Sequence, residues 1–69
     1  MAGTVARVTE ITARSDTSFE DAIQVGLARA SSTVRNITGA WVKEQKVELS
    51  DGAVVAWQVD MQVTFVLED

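Results

Sequence analysis

The end of the chain constrains it most. From Val55 to Leu67 every second residue is apolar: Val55, Trp57, Val59, Met61, Val63, Phe65 and Leu67. The residues between them, Ala56, Gln58, Asp60, Gln62, Thr64 and Val66, are mostly polar. A period of two over such a length marks a strand with one buried face. Just upstream stands Asp51-Gly52, a pair that suits two successive positive-φ turn positions. Ala40 to Leu49 then reads as the antiparallel partner across that turn. The C-terminal half is therefore expected to be one long hairpin.

The N-terminal half has a different rhythm. Val5 to Thr12, "VARVTEIT", is rich in β-branched residues and reads as a strand. "ARSDTS" follows and supplies turn formers. Ser18, with Asp21 three residues on, resembles a capping box with Asp in place of Glu. Phe19, Ile23, Leu27, Ala30, Val34 and Ile37 then recur at helical spacing and form one apolar stripe. Glu20 and Asp21 in the first turn and an Arg in the last suit the helix dipole. Gly26 lies inside this helix at about 1 kcal/mol against Ala, and close backbone packing is the expected reason. The expected order is β-α-β-β, an α+β fold. No linker, repeat or low-complexity segment divides residues 1–69, which read as a single domain.

A chain of 69 residues buries only about 60% of the surface that its unfolded form exposes. Small domains usually add a disulfide, a metal or an oligomeric contact. The chain has no Cys, so disulfides and thiolate metal sites are excluded. It has no His, the commonest transition-metal ligand and acid–base catalyst. Self-association remains, and the hairpin favours it. One helix cannot cover so long an apolar face, and Trp41, Val47 and Leu49 add more apolar surface. Symmetric assembly is the expected resolution. The net charge of −4 argues against nucleic acid, whose phosphates require a basic patch. No apolar run is long enough to span a membrane. No charged-then-apolar leader opens the sequence, so the cytoplasm is the expected compartment.

Strand parity sorts the hairpin residues by face. With a two-residue turn at Asp51-Gly52, Ser50 faces Ala53, Gln45 faces Gln58, and Trp41 faces Gln62. Opposed residues share a face. On this register Trp57 points toward the helix and into the core. Trp41, Lys43, Gln45 and Gln58 lie on the face away from it, unless a bulge intervenes. Trp41 is then an interface or ligand residue.

The whole chain resembles the dodecins, small flavin-binding proteins. The resemblance runs without gaps through "ARVTEITARSDTSFEDAI", "LARASSTVRNI", "VKEQ" and "DGAVVAWQVDMQVTFVLED". It implies a three-stranded antiparallel sheet wrapped around one helix, with copies assembled into a hollow homododecamer of cubic 23 symmetry. It further implies flavin stored between Trp side chains at two-fold axes, with a Gln on the last strand bonded to the ring. Riboflavin, FMN and FAD are the ligands it points to, and sequestration rather than catalysis is the role. Carried over residue by residue, the flavin Gln is Gln58 and a nearby acid is Glu44. Gln45 and Trp41 join them as candidate contacts. The stacking Trp does not carry over, because its position three residues after Asn36 is Gly39. Trp41 stands two residues later, about 6.6 Å along a strand. A bulge near Gly39 would bring it back.

Two functions compete. One is a flavin store using Gln58 and a displaced Trp41. The other is a dodecin-like shell with weak or no flavin binding, holding calcium or another small ligand. Some relatives lacking the stacking Trp are associated with calcium, which takes six to eight oxygen ligands. Glu10, Asp16, Glu20, Asp21, Glu44, Glu48, Asp60, Glu68 and Asp69 offer carboxylates, without an EF-hand spacing. Coenzyme A is bound by some members, and no residue pattern here identifies a site for it. An enzyme is disfavoured: there is no His, Cys or Tyr, no nucleophile motif and no Gly-rich phosphate loop.

Overall fold

The computed structural model describes residues 3–67, so Glu68 and Asp69 lie outside the described residues. Strand β1 (Ala6–Ser15) leads into helix α1 (Phe19–Ser31), followed by strands β2 (Ile37–Ser50) and β3 (Ala53–Val66). The three strands form one antiparallel sheet in the order β1-β3-β2. The alternating segment is thus the central strand, flanked on both sides. The α+β class and the β-α-β-β order match the reading from sequence.

Each element has a local cause. Asp51 and Gly52 both adopt positive φ, 51° and 79°, as the two-residue turn requires. Ser18 caps α1: its Oγ accepts from the Asp21 backbone N–H at 3.0 Å. Asp21 is held in turn, because Ser15 Oγ donates to its Oδ2 at 2.6 Å. The strand β1 runs on through Ser15 rather than turning at Ala13, since its pairing with β3 continues to Ser15 opposite Trp57. The helix is shorter than its stripe. Ser32 Oγ donates to the Arg29 carbonyl at 2.7 Å, and Asn36 turns to φ 63°. Serine and threonine side chains compete with the helical ladder for backbone partners. Val34 therefore leaves the helix, and Ile37 opens β2.

The core lies between α1 and the β1–β3 half of the sheet. Ala13, Ala22, Val59, Met61 and Val63 are buried there, with Ile11, Phe19, Ile23, Leu27 and Ile37 packed around them. Gly26 is where the helix comes closest. A Cβ at this position would lie 2.8 Å from Ala13 Cβ and 2.8 Å from Met61 Cε. The expected close approach is therefore present. Trp57 departs from expectation. It lies on the helix-side face opposite Ser15 and Val47, yet it is only half-buried and outside the core cluster. The reason is that β1 ends at Trp57, and the hairpin continues beyond the cover of helix and first strand.

The molecule is correspondingly long, 57 × 20 × 14 Å. Almost all of β2 is exposed. Trp41, Val42, Val47, Leu49, Val54 and Val55 all present apolar surface on the hairpin.

Candidate functional site

The site lies on the sheet face away from the helix. Even-numbered β3 residues from Ala56 to Val66 point there, because their odd-numbered neighbours Val59, Met61 and Val63 fill the core. On β1 the same face carries Glu10, Thr12 and Arg14, opposite Gln62, Asp60 and Gln58. On β2 the assignment depends on bulges. Register shifts occur between Ile37 and Gly39, between Val42 and Glu44, and between Glu48 and Leu49. The second makes Lys43 an extra residue, so that Glu44 faces Asp60 and Lys46 faces Gln58.

This overturns the expected pairing of Gln45 with Gln58. Gln45 opposes Val59 and so falls on the helix-side parity. A single extra residue moves every following side chain to the other face. Trp41, before the bulge, faces Gln62 as expected, and it is 63% exposed. Gly39 lies on the same face opposite Thr64. The bulge nearest to it precedes it, at Thr38, and leaves Trp41 two residues further on.

A shallow hollow of about 200 Å³ opens on this face, lined by Thr12, Glu44, Gln45, Lys46, Gln58 and Asp60. Three of the four residues singled out from sequence border it: Gln58 and Glu44, which share its face, and Gln45, which lies between Glu44 and Lys46 on the opposite parity. Trp41 is not among them. Its partner Gln62 is four residues from Gln58, or about 13 Å along the strand. Asp60 was open to inference as the same-face neighbour of Gln58 two residues on. Lys46 was hidden, because its place follows from the Lys43 bulge.

Two ion pairs cross the central strand. Arg14 Nη2 lies 2.7 Å from Glu48 Oε1, and Lys43 Nζ lies 3.4 Å from Glu10 Oε1. Between them Glu10 and Asp60 interact carboxyl to carboxyl. The hydrogen bond between the two groups lowers the pKa of Glu10 and raises that of Asp60. Lys43 reinforces the first shift; desolvation and the negative charges of Glu10 and Glu44 reinforce the second. The other Asp60 feature is an orphan: Oδ1 is buried and has no hydrogen-bond partner among the described residues. Among the described residues no three His, Cys, Asp or Glu side chains are grouped to hold a metal ion. Among them, too, no helix is long and apolar enough to cross a membrane.

Chemically the hollow offers an amide that donates and accepts (Gln58), a cation (Lys46), a hydroxyl (Thr12) and two carboxyl groups (Glu44, Asp60). Such a set grips the polar edge of a small planar molecule from one side. The opposite wall has to come from elsewhere.

Comparison with known proteins agrees with this architecture. The Dodecin family model matches residues 5–68. The dodecin of Thermus thermophilus is 36% identical over 67 residues, covering 97% of each chain. A dodecin structure from Streptomyces davaonensis superposes with a TM-score of 0.92 at 37% identity, covering 99% of this chain and 100% of that one. A calcium dodecin from Mycobacterium tuberculosis, described with a calcium-binding site of its own, superposes at 0.81 with 28% identity, covering 94% and 93%. With the fold, the strand order and nearly the full length in common, the chain belongs to the dodecin family.

Proposed function

We propose that the protein is a non-catalytic flavin-binding module, which holds riboflavin or a related flavin at intersubunit sites of a homo-oligomer, most plainly a homododecamer. The observation that carries this reading is the gathering of Gln58 with Glu44, Lys46 and Asp60 on one face in one open hollow. The Gln58 amide matches the alternating donors and acceptors on the pyrimidine edge of a flavin ring. The hollow is shallow and one-sided, so a second copy supplies the facing wall. Uncovered apolar residues along the hairpin, Val42, Val47, Leu49 and Val55 among them, give a reason for that copy to be present. Trp41 then lies at an intersubunit surface near a symmetry axis rather than in open water.

The test is a titration of the purified oligomer with riboflavin, followed by quenching of flavin fluorescence. Gln58→Ala is expected to leave assembly intact and to weaken binding about 10-fold or more, the scale of one lost hydrogen bond to a buried partner. Unchanged affinity removes Gln58 from the site.

A second reading is favoured by Gly39. It offers no side chain at the stacking position, and apart from its chain neighbours no atom of the described residues lies within 4 Å of where its Cβ would be. On that reading the assembly takes calcium or another small ligand instead of flavin. Gly39→Trp separates the two. If a flavin site exists with its clamp missing, the variant is expected to raise flavin affinity about 10-fold or more, since one ring stacked on an aromatic side chain is worth ~1–3 kcal/mol in nucleic-acid sites. An assembly that binds calcium by calorimetry and no flavin, with or without the new Trp, establishes the second reading.

A further inference from the structure

We infer that the hollow at Gln58 selects uncharged flavin over its phosphorylated forms, and that Glu44 and Asp60 are the selecting residues. This rests on the flavin reading above and names the ligand class within it.

Charge placement carries the inference. The face around the hollow bears Glu10 and Arg14 from β1, Asp60 from β3, and Lys43, Glu44, Lys46 and Glu48 from β2. Two of these cations are already engaged, Arg14 with Glu48 at 2.7 Å and Lys43 with Glu10 at 3.4 Å. What remains at the hollow is Lys46 against Glu44 and Asp60. A phosphate ester brings a charge of roughly −1.5 to −2 near neutral pH. It meets a surplus of carboxylate, repeated in every copy of a chain whose net charge is −4. Repulsion between charges spaced within a Debye length is felt at low salt and screened at high salt.

Hydrogen bonding gives Asp60 a part in holding the flavin itself. Asp60 Oδ1 is buried without a partner among the described residues, so it is an acceptor open to a donor. A ring N–H or a ribityl hydroxyl donates to it. These donors are common to riboflavin and FMN, so the choice between the two rests on charge and not on this bond.

The experiment titrates the assembled full-length protein with riboflavin and with FMN by fluorescence quenching, slightly above neutral pH, at about 0.01 M and about 1 M salt. The Debye length falls from about 30 Å to about 3 Å between these conditions. The wild type is expected to bind riboflavin about 10-fold more tightly than FMN at low salt, with the gap narrowing at high salt. Glu44→Gln and Asp60→Asn are each expected to narrow the low-salt gap several-fold, and Lys46→Gln to widen it. Glu44 is exposed, so Glu44→Gln decides the matter if Asp60→Asn impairs assembly. FMN binding as tight as riboflavin at low salt in the wild type overturns the inference. So does a gap that Glu44→Gln leaves unchanged. Failure of both flavins to bind, even to the Gly39→Trp variant, defeats the flavin reading and the selectivity with it.

Discussion

Asp60 is a polar residue in the middle of the central strand, and its surroundings make its ionisation less favourable than in water. Its pKa is raised, first by the hydrogen bond to Glu10, then by desolvation and the nearby carboxylates. A raised folded pKa contributes stability that is fully present below the ordinary value of 3.8 and lost as pH rises through the folded value. Glu10 runs the other way. Its lowered pKa contributes stability above the ordinary 4.5 that is lost as pH falls through the folded value. Asp60→Asn keeps a donor for Glu10 and removes the second charge. The melting temperature of this variant relative to wild type is therefore expected to rise with pH between about 3.5 and neutrality; a constant difference, measured by thermal unfolding at both ends, refutes the assignment. Gly26 is constrained by volume instead. Gly26→Ala drives a methyl group against Ala13 and Met61. The Met61 end can yield, whereas Ala13 is tied to its strand. A cost of about 1–3 kcal/mol is expected in denaturant unfolding, and a neutral or stabilising result would show that the helix can move.

At the scale of elements, the helix start and the hairpin turn follow from few residues. Ser18→Ala removes the acceptor of the Asp21 N–H and is expected to lower stability by about 1 kcal/mol. Gly52 sits at φ 79°, so Gly52→Ala is expected to cost about 1–2 kcal/mol; both values are read from urea midpoints. These elements were legible because their causes are local. The end of the helix was not. Val34 and Ile37 continue the apolar stripe, but Ser32 ends the helix by bonding back to Arg29, and Ile37 gains strand pairing opposite Phe65. The bulges were hidden for a related reason. Lys43 has no sequence mark of a bulge, yet it decides that Lys46 rather than Gln45 faces Gln58.

At the scale of the whole molecule, a hairpin extends past the reach of helix α1. Val47 illustrates the consequence. It faces Trp57 on the helix-side parity, where α1 no longer reaches, and remains 38% exposed. Light scattering of the purified protein is expected to report a large symmetric oligomer at micromolar concentration. Val47→Asp, which desolvates a charge only if that surface is covered by another copy, is expected to shift the population toward smaller species. A monomeric wild type, or an oligomer indifferent to the substitution, would remove the hairpin from the interface.

The alternation from Val55 to Leu67, the Asp51-Gly52 turn and the Ser18 cap were enough to determine the order of elements and the face of β3 that fills the core. Each is a short-range preference, set by backbone dihedrals or by a period of two. Tertiary structure alone decided which β2 residues share a face with Gln58 and how far Trp41 stands from it. Cross-strand register is a competition among pairings over the whole strand, and the bulge at Lys43 resets the face of the β2 residues that follow it. The candidate site therefore has Gln58 and Asp60 on one face of a strand legible in the sequence, and Glu44 and Lys46 brought beside them by the fold.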